Sequence, residues 1–126
     1  MKRIAVVEDN ADNRLLLEAM LAGSYRLDEY CSGPEALEGI SRSRPDLVLL
    51  DISLPGMDGV EVFSRLRSAP ETAGLPIIAL TAHAMGGDRE LFLAVGFDAY
   101  LSKPIVDPDE LTGLIERHTS KLTLVA

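Results

Sequence analysis

Glu8 and Asp9, Asp51, Thr81 and Lys103 each close a short apolar run. Ile4-Ala5-Val6-Val7 leads to the first two, Leu47-Val48-Leu49-Leu50 to Asp51, Ile77-Ile78-Ala79-Leu80 to Thr81, and the stretch from Ala99 to Ser102 to Lys103. Taken alone, Asp51 reads equally well as a solvated aspartate opening a loop. As a set the five residues have a shared chemistry. Three carboxylates within ~4 Å of one another would each cost a neighbour roughly 4 kcal/mol at an effective dielectric near 20, about three pKa units, so such a cluster needs a cation. Lysine supplies one positive charge, and an all-oxygen site of carboxylates, a backbone carbonyl and waters suits Mg²⁺. A hydroxyl and an ammonium aimed at a metal-bound carboxylate are what a transferring phosphoryl group requires, because positioning and charge neutralisation supply nearly all of that catalysis.

The elements that must position these groups follow from the pattern around them. Four apolar residues in a row bounded by turn residues read as a strand buried on both faces, which belongs to a parallel sheet covered by helices. Asn10 can cap a helix carrying Leu15, Leu16, Ala19, Met20 and Leu21 at helical spacing, with Gly23 closing it. A weaker strand spans about Arg26 to Tyr30, and Ser32-Gly33-Pro34-Glu35 starts a helix with an Ala36, Leu37, Ile40 stripe. After Asp51, the loop Pro55-Gly56-Met57-Asp58-Gly59 leads to a helix from about Val60 to Arg67; further helices run from about Gly87 to Val95 and from Asp107-Pro108 onward. Five strands alternating with five helices force right-handed crossovers and an α/β fold, a doubly wound parallel sheet with helices on both faces. Ligands of such sheets bind at the carboxyl ends of strands, where all five residues fall.

Composition is consistent with one domain of 126 residues with a single core. Hydrophobic residues at 47% and charged residues at 25% are those of an ordinary globular domain. The balance of 12 basic against 20 acidic residues, 12 − 20 = −8, repels phosphate backbones and anionic membranes, so neither nucleic acid nor membrane is an expected partner. The lone Cys31 has no partner for an internal disulfide, fits a reducing compartment and is expected as a small buried hydrophobe. Met1-Lys2-Arg3 resembles a signal-peptide start, but the apolar run after it ends at Glu8-Asp9, too short for a secretory core, which makes the expected location cytoplasmic.

Over essentially its whole length the chain resembles the receiver domains of two-component response regulators. The likeness is carried by Val7-Glu8-Asp9-Asn10, by Leu49-Leu50-Asp51-Ile52-Ser53-Leu54-Pro55-Gly56-Met57-Asp58-Gly59, by Leu80-Thr81-Ala82, and by Tyr100-Leu101-Ser102-Lys103-Pro104-Ile105. The resemblance implies a flavodoxin-like sheet of order 2-1-3-4-5 over residues 1–118, leaving 119–126 as a C-terminal tail. It implies a phosphorylation-activated switch rather than an enzyme with an external substrate. Asp51 would accept a phosphoryl group from a histidine kinase or histidine phosphotransfer protein. Asp9, Asp51 and the Ser53 backbone carbonyl would bind Mg²⁺ directly, with Glu8 acting through a metal-bound water. Thr81 and Lys103 would each contact a phosphoryl oxygen, Pro104 would follow a cis peptide bond, and Tyr100 would change rotamer as Thr81 moves; its bland alternative is a half-buried edge aromatic.

Ser53 and His83 occupy the positions that tune acyl-phosphate lifetime in the family, although His83 reads equally as a solvated loop residue. His118 reads as a charge partner for the last helix terminus. The run Leu91-Phe92-Leu93-Ala94-Val95 is too apolar for one buried stripe, so some of it faces out. Leu91 and Val95 share a face and Phe92 is the other candidate. With the fifth strand and last helix this surface is the expected site for a protein partner or homodimer, preceded by a mobile loop at Met85-Gly86-Gly87. Two other classes share part of this pattern. A haloacid-dehalogenase-like aspartyl-phosphate phosphatase would carry a second aspartate where Ser53 stands. A flavodoxin-like module would set its anionic cofactor against Glu8-Asp9-Asn10. Either a free-standing receiver or a piece excised from a longer regulator or hybrid kinase fits the sequence, and the run Glu8-Asp9-Asn10-Ala11-Asp12-Asn13-Arg14 is similar to receivers found in phosphorelays.

Overall fold

The computed structural model describes residues 1–82, 88–103, 105 and 107–119. His83, the Met85-Gly86-Gly87 loop, Pro104 and residues 120–126 of the tail lie outside the described residues.

The strands are β1 (Arg3–Val7), β2 (Arg26–Tyr30), β3 (Leu47–Asp51), β4 (Ile77–Thr81) and β5 (Ala99–Ser102); the helices are α1 (Ala11–Leu21), α2 (Gly33–Ser43), α3 (Gly59–Ser68), α4 (Asp88–Val95) and α5 (Pro108–Thr119). All strand pairs are parallel and the order is β2-β1-β3-β4-β5, as the resemblance implied. The three central strands are the all-apolar runs because only they are covered on both faces. Side chains alternate between two cores: Ile4, Val6, Leu47, Leu49, Ile78 and Leu80 pack with α1 and α5, while Ala5, Val7, Val48, Leu50, Ile77 and Ala79 pack with α2, α3 and the ring of Phe97.

Helix starts follow local chemistry. Asn10 Oδ1, Ser32 Oγ and Asp58 Oδ1 each accept the amide three residues on, capping α1, α2 and α3. Helix rotation departs from the sequence reading in α1. Leu15 is 63% exposed and Leu16 41%, Ala19 is also exposed, and the buried stripe is Leu17 and Leu21 with Met20 half-buried. The six apolar residues from Leu15 to Leu21 exceed what one face can bury, and the i, i+4 pair Leu17 and Leu21 takes the core. The helix ends at Leu21 with Ala22 as C-cap, before Gly23. Cys31 is exposed rather than buried, since it follows the edge strand β2, outside both cores.

Candidate functional site

At the carboxyl ends of β1 and β3, Glu8, Asp9 and Asp51 come together, one carboxylate oxygen from each lying within 4.8 Å of the others. Glu8 is fully buried and Asp51 2% exposed, while Asp9 faces solvent. Lys103, from the segment after β5, closes the cluster: Nζ donates to Glu8 Oε1 at 2.7 Å and stands 3.3 Å from Asp51 Oδ2. The lysine is brought back to the site by its own amide, which donates to the Thr81 carbonyl at 2.7 Å and extends the β4–β5 pairing past the strand end. Thr81, 3% exposed, ends the neighbouring strand, and Ile52 N donates to Leu80 O at 2.9 Å, so β3 and β4 stay paired beyond Asp51.

Asp51 is aimed by its loop. The Ser53 amide donates to Asp51 Oδ1 at 3.0 Å, and the Gly59 amide to the Ile52 carbonyl at 3.1 Å. Gly59 fits because it has no side chain: a Cβ there would lie 2.4 Å from Asp51 O and 2.6 Å from Ile52 Cα. Burial pushes the Glu8 carboxyl above its usual range, and the facing Asp51 carboxylate adds to this against the pull of Lys103 and the Asn10 amide. For Lys103 burial works against the charge, yet Glu8 and Asp51 together hold its ammonium above its usual value. Three acidic side chains with one lysine leave net negative charge where Glu8 and Asp51 are buried, and such an all-oxygen donor set matches a hard divalent cation. Glu8, Asp9 and Asp51 are the side chains that would hold it.

A family model for the response regulator receiver domain matches residues 4–116. The chain belongs to this family. The receiver is 42% identical to the polar-differentiation response regulator DivK of Brucella anthropi over 108 residues, covering 85% of this chain and 88% of that protein. It is 37% identical over 116 residues to the signal transduction histidine-protein kinase BarA of Escherichia coli, covering 91% of this chain but 12% of BarA. Among solved structures, it is similar to the receiver domain of a sensor histidine kinase from Pseudomonas aeruginosa, with magnesium coordinated in the active-site cleft of that protein. That likeness has a TM-score of 0.86 and 37% identity, covering 95% of this chain and 98% of the other. Receiver domains are signalling switches of two-component systems, not turnover enzymes. Among the described residues no helix is long and apolar enough to cross a membrane.

The receiver's opposite flank carries the other sequence candidates. On α4, Leu91 is 59% exposed, Val95 45% and Leu93 39%, while Phe92 turns inward. The Phe92 ring stacks on Tyr100 (centroids 5.8 Å apart, 19° between planes) and meets the Phe97 ring edge-on at 5.9 Å. Phe97 in turn stacks on Phe63 of α3 at 4.1 Å. Tyr100 is thus half-buried at one end of a row of rings. Sequence reasoning gave no separate role to Phe97, to Gly59 within its motif, or to Arg14, whose Nη1 donates to the Glu8 carbonyl at 2.8 Å. For Arg14 a signal existed: four residues after the Asn10 cap, a long side chain leans back toward the helix N-terminus.

Proposed function

We propose that this receiver is a phosphorylation-activated switch in which Asp51 accepts a phosphoryl group from a phosphohistidine of a histidine kinase or phosphotransfer protein. The observation that carries this reading is the convergence of Glu8, Asp9 and Asp51 within 4.8 Å, with Lys103 bridging two of them. An Asp51 oxygen forms the new P–O bond as the P–N bond to the donor imidazole breaks; the electron pair returns to that nitrogen, and the ring, already protonated on its other nitrogen, leaves as neutral imidazole. Bound Mg²⁺ would offset the negative charge that otherwise keeps phosphate and carboxylate apart. Asp9, Asp51 and the Ser53 carbonyl are assigned as its direct ligands, with Glu8 acting through water. Lys103 exchanges its contact with Asp51 for one with a phosphoryl oxygen, and Thr81 hydrogen-bonds another. Ser53 and His83 are assigned to the lifetime of the acyl phosphate.

The output is assigned to the α4–β5–α5 face, where exposed Leu91 and Val95 offer apolar area to a protein partner or a second copy. Tyr100, stacked on Phe92, responds to movement of Thr81. Residues 1–118 are read as the switch and 119–126 as its tail; α5 runs to Thr119. The phosphatase alternative needs a second acid where Ser53 stands.

Incubation with acetyl phosphate and Mg²⁺ tests the reading by intact mass. Wild type is expected to gain one phosphoryl group, hydroxylamine-labile and absent with EDTA, and Asp51→Asn to gain none. Equal labelling of the two overturns the assignment.

A further inference from the structure

The peptide joining Glu8 to Asp9 lies just past the end of β1, and two of the cluster's three acidic side chains, Glu8 and Asp9, flank it. Its placement therefore sets their aim. On the β2 side, the Glu8 amide donates to the Tyr30 carbonyl at 3.0 Å. On the α1 side, the Glu8 carbonyl, which belongs to that peptide, accepts from Arg14 Nη1 at 2.8 Å. The Arg14 side chain is 21% exposed, and its Nε faces Glu29 Oε1 of β2 at 3.9 Å, so the guanidinium spans from the edge strand to the β1 terminus. Its own helix is tied to the same turn, because the Arg14 amide donates to Asn10 O at 3.1 Å and the Asn10 amide to Glu8 Oε2 at 3.2 Å.

The geometry points to Arg14 as a positioning residue for the divalent-cation site: by holding the Glu8–Asp9 peptide it keeps both carboxylates turned toward Asp51. This rests on the metal reading given under the proposed function. A planar guanidinium suits the task, since one N–H can reach the carbonyl while the rest of the fork faces Glu29. Groups behind metal ligands that fix their orientation contribute about ten-fold or more to affinity in other sites.

The sign of the effect separates positioning from charge. Arg14 is a cation near a cation site, so by Coulomb's law its removal alone would tighten Mg²⁺ binding. Positioning requires the reverse. Mg²⁺ alone is titrated into wild type, Arg14→Met and Arg14→Lys, following the backbone amide shifts of Asp9 and Asp51 by NMR, with thermal melts of each. Arg14→Met is expected to bind Mg²⁺ about ten-fold more weakly. Arg14→Lys, which keeps a donor able to reach the Glu8 carbonyl, is expected to recover a large part of that loss. Met-variant affinity equal to or tighter than wild type overturns the proposal. So does a lysine variant as weak as the methionine variant with an equally lowered melting temperature, which would mark Arg14 as packing. Wild type showing no Mg²⁺-dependent shifts would overturn the metal reading itself, and the role of Arg14 with it.

Discussion

The ammonium of Lys103 is closer to Glu8 (2.7 Å) than to Asp51 (3.3 Å). The lysine is thus first a counter-ion for a fully buried glutamate and only second a neighbour of the acceptor. Lys103→Met leaves Glu8 and Asp51 facing each other without that cation. Removing one partner of a buried pair costs about 3–5 kcal/mol, so chemical denaturation without metal should show a loss of that order. Saturating Mg²⁺ should restore part of it, because a divalent ion offsets the same repulsion. A variant as stable as wild type in EDTA would contradict this account.

Gly59 touches the backbone that carries Asp51. A methyl at this position meets Asp51 O and Ile52 Cα, both main-chain atoms, so relief requires the acceptor loop to shift. Gly59→Ala is expected to cost about 1–3 kcal/mol in urea melts. The rate of labelling by acetyl phosphate should fall with it; unchanged labelling would show that the loop yields without moving Asp51.

The row of rings from Phe63 through Phe97 and Phe92 to Tyr100 joins α3, α4 and β5. Phe97 is 3% exposed and stands in the middle, so Phe97→Ala should destabilise by about 3–5 kcal/mol. Phe92→Ala, at a half-buried position, should cost less while freeing the Tyr100 ring of its stacking partner. Ring-proton NMR of Tyr100 should then show a changed shift with the β-sheet amides unperturbed.

At the other end of the molecule, Tyr25 donates its hydroxyl to Glu116 Oε2 at 2.6 Å, and Lys2 Nζ holds Glu116 Oε1 at 3.0 Å. Burial, with the Glu116 carboxylate beside it, pushes the Tyr25 phenol up to about 12 from an ordinary 10.0. Above pH about 10 the unfolded chain releases this proton while the folded chain keeps it, so rising pH favours unfolding. The Tyr25 contribution is complete below pH about 10 and lost as pH climbs through about 12. Tyr25→Phe should be less stable at neutral pH and lose stability less steeply over that alkaline window. Parallel pH curves for the two proteins would refute the assignment.

Much of this receiver was legible in the order of its residues. Four-residue apolar runs can be satisfied only by strands covered on both faces, and the polar residues that end them must emerge together at one edge of a parallel sheet. Hence Glu8, Asp9, Asp51 and Lys103, which the structure brings together, were legible as one group in the sequence. The rotation of α1 was not, because its apolar residues outnumber the positions one face offers, and only packing against β1 and α5 selects Leu17 and Leu21 over Leu15 and Leu16. Cys31 went the same way: its exposure depends on β2 being an edge, a property of strand order. Phe92 turned inward because Phe97 and Tyr100 supply a ring on either side of it, a coincidence of α4 and β5 that no local spacing encodes. Sequence determined which chemical groups reach the strand ends, since alternation and burial are local constraints. The tertiary structure alone decided which atoms meet there, such as Lys103 on Glu8 and Arg14 on the Glu8 carbonyl, because those contacts depend on distances between segments far apart in the chain.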